Sequence, residues 1–309
     1  MDFYFAPMEG ITGYVLRNVH AKLFPGVDRY YLPFIAAQSS HRLKNKEKAD
    51  VSPEHNAGIR AVPQILSKSA EDFVATAEIL RELGYREVNL NLGCPSPTVT
   101  VKGKGAGMLR DTEVLDRFLD GIFEGMAGSD TEISVKTRIG CEDIAEAEKI
   151  FDVYARYPFS EIIIHPRTLK EFYNGDVHRD IFFELAGKLQ AKTVFNGNIF
   201  TAEDYKSLMD GTPRLKAVMC GRGLLRNPAL VREMQGGPAL SMEELFIFQK
   251  EVYEGLRETL SGPVPVLSKM KELWWYMRVN FPEKEREYYN IKKAKSFAEY
   301  EEAVRGIFR

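Results

Sequence analysis

Apolar residues fall into short runs along this chain, and amphipathic, helix-prone stretches separate them. Eight runs read as strands: Phe3 to Met8, Tyr30 to Ile35, Ala61 to Leu66, Glu87 to Leu92, Glu132 to Thr137, Glu161 to His165, Thr193 to Asn196 and Ala217 to Cys220. Helix starts are legible between most of them. Ser69, Asp111 and Thr201 each stand before acidic residues, the pattern of an N-cap followed by an acidic first turn. Glu142-Asp143 offers the acids without a clear cap. Gly84 follows one helix as a C-terminal glycine should. Eight strand–helix repeats in about 235 residues predict an α/β fold, a (β/α)8 TIM barrel. The doubly wound sheet is the main competitor, and it rarely has eight regular units. No Gly-x-Gly-x-x-Gly follows the first strand, as a dinucleotide-binding half would want.

Two segments break the rhythm. Residues 36–58 follow the second strand without a clear helix and carry Arg42, Lys44, Lys46 and Lys48. A solvated charged loop is the plain reading of them. Past Gly236-Gly237-Pro238 only helical segments follow, roughly 242–260, 266–280 and 296–308. The expected organisation is a barrel over 1–236 and a small all-helical domain over 237–309.

Composition narrows the function classes. The 309 residues contain no apolar run long enough to span a membrane, and the first residues lack the basic start and apolar core of a signal peptide. Three widely spaced cysteines, with no Cys-x-x-Cys, argue against a disulfide framework or a zinc knuckle and fit a reducing cytoplasm. No His/Asp/Glu cluster has metal spacing, so no metal is expected. The formal net charge is −2, so a nucleic-acid partner needs a local patch. From Pro265 to Phe297 eight basic residues face four acidic ones, with Trp274, Trp275 and Tyr276 among them. Lys292, Lys293 and Lys295 are candidate phosphate contacts there, with aromatics able to stack on bases. At least one of the tryptophans is expected in the small domain's core.

In a barrel, chemistry gathers at the C-terminal ends of the strands. Those ends carry Pro7 and Met8, Gln64, Asn91 and Cys94, Lys136 and Arg138, His165 and Arg167, Asn196-Gly197-Asn198, and Gly221-Arg222. The last two glycine-bearing turns suit a phosphate, with backbone N–H groups as donors. Amides, one lysine, one histidine and a phosphate cradle suit a phosphorylated ring cofactor. Cys94, between Gly93 and Pro95, is a thiol on a stiff turn, although a buried structural role is the commoner fate of such a cysteine. The glycines and lysines of Lys102-Gly-Lys-Gly-Ala-Gly107 are read as a loop closing over something anionic.

In this order, Ala6-Pro-Met-Glu-Gly10, Pro63-Gln-Ile65, Asn89-Leu-Asn-Leu-Gly-Cys-Pro-Ser-Pro97, Lys102 to Gly107, Val135-Lys-Thr-Arg138, His165-Pro-Arg-Thr168, Asn196-Gly197 and Gly221-Arg-Gly223 resemble the tRNA-dihydrouridine synthases. The resemblance spans most of the chain. It implies an FMN-binding barrel followed by a helical tRNA-binding domain, NADPH as reductant, and a monomer. It further implies that Pro7 and Met8 line the flavin, that Gln64, Lys136 and His165 contact its ring or substituents, and that Asn196, Gly197, Asn198, Gly221 and Arg222 hold its phosphate. Cys94 becomes the general acid, and Asn91, Arg138 and Arg167 become substrate contacts. The chain departs from the family pattern at Pro166, where many members have Gly, and at Asn198, where many have Asp. The alternative enzyme is a flavin reductase of a free pyrimidine, like the dihydroorotate dehydrogenases, which leaves the basic helical segment unexplained. A non-catalytic RNA-binding protein on a decayed barrel is a second alternative, opposed by the intact set of strand-end residues.

Overall fold

The computed structural model describes residues 1–210 and 215–309. Among them ten short strands form one sheet: β1 (Asp2–Phe5), β2 (Arg29–Tyr31), β3 (Ile35–Ala36), β4 (Ala61–Val62), β5 (Gln64–Leu66), β6 (Glu87–Leu92), β7 (Glu132–Arg138), β8 (Glu161–His165), β9 (Lys192–Asn196) and β10 (Ala217–Cys220). The spatial order is β3-β5-β6-β7-β8-β9-β10-β1-β2-β4. Its two ends meet along the chain, because only Pro63 separates β4 from β5. A proline has no N–H to give the ladder, so it splits the third strand into two pieces with different neighbours. The second strand is likewise divided into β2 and β3. β2 pairs in parallel with β4, and β3 with β5. Joined across these breaks, the ten pieces are the eight parallel strands of a closed (β/α)8 barrel.

The chain divides into two compact units. The first takes in residues 1–7, 29–197 and 213–219, and so holds the barrel. The second takes in 8–28, 198–212 and 220–309.

In the first unit the strands' period of two sorts side chains by face. Tyr4, Ala6, Tyr31, Val62, Ile163, Val194, Ala217 and Met219 form one buried cluster. The floor of the barrel is charged. Arg29 Nη1 lies 2.7 Å from Glu87 and 3.3 Å from Glu161, both carboxylates buried. Lys192 Nζ donates to Asp2, to the Tyr4 hydroxyl and to Glu161. Each of these charges has a partner, as burial requires.

Helices begin where their caps specify. Ser69 accepts from the Asp72 N–H and opens Ala70–Glu82; Asp111 accepts from Glu113 and Val114 and opens Thr112–Gly125. Gly84 closes the first of these with φ +94°, a conformation that needs no Cβ. Three expectations shift. The helix read from Glu142 starts only at Glu146, whose carboxylate instead accepts from the N–H groups of Cys141, Glu142 and Asp143. The segment 36–58 contains two short helices, Asn45–Val51 and Pro53–Asn56. The first buries only Val51, so it carries no apolar stripe to read.

The glycine-rich stretch is the third. Lys102 and Gly103 lie in a turn with Lys102 exposed, and the stretch then enters a 3-10 turn, Gly105–Arg110, buried from Gly105 to Leu109 and packed on the Cys94 loop. A Cβ on Gly105 would stand 2.9 Å from the Cys94 carbonyl oxygen, and one on Gly107 2.5 Å from the Thr100 carbonyl oxygen. These glycines serve close backbone approach.

The second unit is helical, and contains Tyr14–Leu23, Ala202–Met209, Met242–Thr259, Pro263–Met277, Glu285–Lys293 and Phe297–Ile307. Thr201 with Asp204, and Ser241 with Glu244, complete capping boxes. Trp274 is fully buried and donates to the Tyr300 hydroxyl at 2.9 Å. The helix Glu285–Lys293 has no counterpart in the sequence reading; it is short and buries only Ile291.

The floor gives a stability prediction. Replacing Arg29 by Met should destabilise the protein by about 3 kcal/mol or more, because it leaves the buried Glu87 carboxylate without its cation, while Glu161 keeps Lys192. Urea unfolding checks this, and a loss under about 1 kcal/mol would mean that the floor charges are screened.

Candidate active site

Each polar strand end in the first unit can be traced to its neighbours. Asn91 pairs with Lys136 in the β6–β7 register, and Arg138 with His165 in the β7–β8 register. The turn after β6 is held by one side chain: Asn91 Oδ1 accepts from the N–H of Gly93 at 3.1 Å and of Cys94 at 2.9 Å. Cys94 is partly exposed at this turn, whereas Cys141 and Cys220 are buried. Burial pushes the Cys141 thiol up to about 11 and the Cys220 thiol to about 12, so both stay protonated. Asn91 Nδ2 donates in turn to Gln64 Oε1 at 2.6 Å.

Lys136 stands beside this turn, half-buried. Among the described residues its ammonium makes neither a hydrogen bond nor an ion pair. Desolvation lowers its pKa to about 7; the nearby Arg138 charge adds to the drop, and negative charge on Cys94 opposes it. A cation kept in a desolvated place without an anion is an electrostatic cost in the ligand-free fold.

Arg138 and Arg167 are both fully buried. Arg138 donates to the carbonyls of Gly93, Thr168 and Phe172. Burial holds it down to about 10, so it remains charged at neutral pH. Arg167 donates to the carbonyls of Asn174 and Gly175. Both arginines thus spend donors on the loop after β8, which carries Phe172 and Tyr173 at its exposed tip. Phe172 has φ +51°, a left-handed residue that these bonds hold in place. Arg167 Nη1 also lies 3.2 Å from His165 Nε2. A guanidinium only donates, so Nε2 accepts and the ring proton sits on Nδ1.

The remaining strand-end residues fall in both units. In the first, Pro7 follows β1, and Asn196 Nδ2 donates to the Met219 carbonyl, with Gly197 next along the chain. Gly197 leaves little room, since a Cβ there would meet the Phe195 ring at 2.7 Å. In the second, the Met8 N–H donates to Thr12 Oγ1, and Arg222 Nη2 donates to Asn198 Oδ1 at 2.8 Å. Gly221 precedes the short helix Arg222–Arg226 as its N-cap.

Sequence reading missed Asn89 and Ser134, which lie one step below Asn91 and Lys136 and opposite each other in register. The signal was present: three polar residues at alternate positions of β6, Glu87, Asn89 and Asn91, in a strand buried on both faces.

A parallel barrel with a thiol, an amide cluster and an unsatisfied ammonium at the carboxyl ends of neighbouring strands is the layout of a barrel enzyme. Residues 4–306 match the family model for dihydrouridine synthase (Dus). The chain therefore belongs to the dihydrouridine synthase family. It is 25% identical over 296 residues to the tRNA-dihydrouridine(16) synthase of Pseudomonas putida, with 92% of this chain and 90% of that protein covered. It is 27% identical over 233 residues to tRNA-dihydrouridine synthase B of Pasteurella multocida (75% and 68% covered). It is 27% identical over 240 residues to a probable tRNA-dihydrouridine synthase 1 of Synechocystis, where the match takes in 74% of this chain and 63% of the relative. Among solved structures, morphinone reductase superposes with a TM-score of 0.53 over 78% of this chain and 87% of its own, at 13% identity, a likeness of fold. Among the described residues no helix is long and apolar enough to cross a membrane.

The lowered ammonium gives a pH prediction. A lysine whose pKa drops on folding opposes folding fully below about pH 7, and the opposition fades as pH rises toward its ordinary 10.5. Lys136→Met should therefore raise the Tm of flavin-free protein at pH 6, and the gain should shrink by pH 9.5. A pH-independent change in Tm would show that the charge is not the cause.

Proposed function

We propose that this enzyme reduces the C5=C6 bond of uracil in tRNA, with FMN as its flavin and NADPH as reductant. The observation that carries this reading is Lys136: a desolvated ammonium with no hydrogen-bond or ion-pair partner among the described residues, opposite in register to the Asn91 that holds the Cys94 turn. Such a cation fits a ring system that carries negative charge during reduction. Gln64 and His165, the latter with its proton on Nδ1, supply neutral polar contacts beside it. Arg222, tied to Asn198, fits the role of a phosphate ligand, and Asn196, Gly197 and Gly221 are assigned the same role. Pro7 and Met8 are assigned to the flavin's apolar side.

These residues would hold the flavin, which would supply hydride chemistry toward C6 of the uracil. The protein's part is the proton. The Cys94 S–H bond breaks as the C5–H bond forms, and the thiolate left behind recovers a proton from water. Lys136 and Arg138 both lie close enough to Cys94 for a thiolate there to raise their pKa values, so both cations stabilise that thiolate. Asn91 holds the turn on which the thiol sits. Arg138 and Arg167 act on substrate through the Phe172–Tyr173 loop that they fix. A uridine in folded tRNA must leave its stack to reach this site.

The RNA grip is assigned to 237–309. Arg278 lies 3.6 Å above the ring of Trp275, which is 51% exposed, and 5.2 Å from that of Tyr288. Lys293 lies 5.5 Å from the ring of Tyr289, which is 55% exposed. Lys292, Lys293 and Lys295 are exposed alongside. Cations interleaved with open ring faces suit a phosphate backbone and unstacked bases.

The reading is tested by nucleoside mass spectrometry on unmodified tRNA incubated with the protein, FMN and NADPH. Dihydrouridine should appear. NADPH oxidation without it, and with dihydrouracil formed from the free base, would reassign the enzyme to free pyrimidines. Cys94→Ala should retain flavin and lose about 100-fold or more in turnover, the range for removal of a general acid. Unchanged turnover would exclude Cys94 as the proton donor. Exchanging Lys292, Lys293 and Lys295 together for Glu should weaken tRNA binding and steepen its loss with salt, while NADPH oxidation stays intact. Unaltered affinity would remove the patch from the RNA site.

A further inference from the structure

The Cys94 turn is the upper end of a continuous side-chain relay through the barrel. Its lower end is Glu87, in the charged floor. Ser134 Oγ donates to Glu87 Oε1 at 2.8 Å, and Asn89 Nδ2 donates to Ser134 Oγ at 2.9 Å. Gln64 Nε2 donates to Asn89 Oδ1 at 2.7 Å, and Asn91 Nδ2 to Gln64 Oε1 at 2.6 Å. The backbone N–H groups of Gly93 and Cys94 then donate to Asn91 Oδ1. Every side chain in the series is buried, and Ser134 and Asn89 are wholly so.

Both ends of this relay have fixed polarity. Backbone N–H groups only donate, and a carboxylate paired with Arg29 only accepts. The direction of each bond between them is therefore determined. No amide can flip without setting donor against donor or acceptor against acceptor among buried groups. A serine and three amides have no charge of their own, so the relay sets which end of each amide donates.

We propose that Glu87, Ser134 and Asn89 are positioning residues for catalysis. Through Gln64 and Asn91 they lock the Gly93–Cys94 amides, and with them the thiol, in one orientation. Ser134 and Asn89 touch neither the thiol nor its turn; their effect is transmitted. The consequence for turnover rests on Cys94 being the proton donor, whereas the consequence for the turn does not.

Ser134→Ala cuts the relay from its Glu87 end and removes a single oxygen. In the full-length protein, amide hydrogen exchange followed by mass spectrometry should accelerate at Gly93 and Cys94 by about fivefold or more, as a freed Asn91 loses its fixed acceptor. Exchange in β8 should remain as in the wild type. Turnover should fall by about tenfold with the KM for tRNA within about twofold, the split produced by a misplaced reacting group. Tyr31→Phe is the control, since the Tyr31 hydroxyl reaches the same Glu87 from outside the relay at 3.5 Å. It should leave exchange at the turn unchanged. Wild-type exchange at Gly93 and Cys94 in Ser134→Ala, or equal acceleration in Tyr31→Phe, would overturn the proposal. Accelerated exchange with full turnover in Cys94→Ala would uphold the relay and dismiss only its catalytic purpose.

Discussion

Strand β6 is buried on both faces, yet half of its residues are polar, and that conflict organises the barrel unit. Val88, Leu90 and Leu92 alternate with Glu87, Asn89 and Asn91. The apolar set costs nothing to bury. The polar set must find partners inside a parallel barrel, where the backbone donors and acceptors are already committed to the ladder. It finds them on the neighbouring strands, Gln64 on β5 and Ser134 on β7, and across the barrel floor at Arg29 on β2. The bonds that satisfy β6 therefore also fix how these strands stand to one another.

The lumen changes character along its length. At the amino-terminal end charges are paired, Arg29 and Lys192 against Asp2, Glu87 and Glu161. At the carboxyl end Lys136 has neither a hydrogen bond nor an ion pair among the described residues, and its pKa is lowered by desolvation. The same alternation that aims Glu87 at Arg29 aims Asn91 at the catalytic end. Stability at the floor and unsatisfied polarity at the rim are two ends of one pattern, and the rim is where a fold keeps groups for a ligand.

The arginines show that a residue's position and its task differ. Arg138 and Arg167 stand at strand ends, where a substrate contact is the natural expectation. Both are buried and bonded to carbonyls of the loop after β8. Their charge is spent on shaping backbone. What reaches outward is the aromatic pair at the loop's tip, Phe172 and Tyr173, which nothing in their spacing marked.

Much of this was legible in the chain itself. Strands Glu87–Leu92, Glu161–His165 and Ala217–Cys220 lie where the apolar runs placed them, and Ser69, Asp111 and Thr201 cap the helices they announce. Period and capping are local, set by residues within a few positions, so sequence alone determines them. It determined the family as well, since the motifs at the strand ends come in a fixed order. Tertiary structure decided the rest. The short helices near 45–56 and at Glu285–Lys293 each bury one residue and so leave no run of apolar positions to read. The glycines of 103–107 announce freedom, but at Gly105 and Gly107 they serve close approach to Cys94 and Thr100. Asn89, Ser134 and Gln64 became one relay only when three strands came into register. A hydrogen bond between residues 25 or 45 positions apart is a property of that register, and no local spacing encodes it.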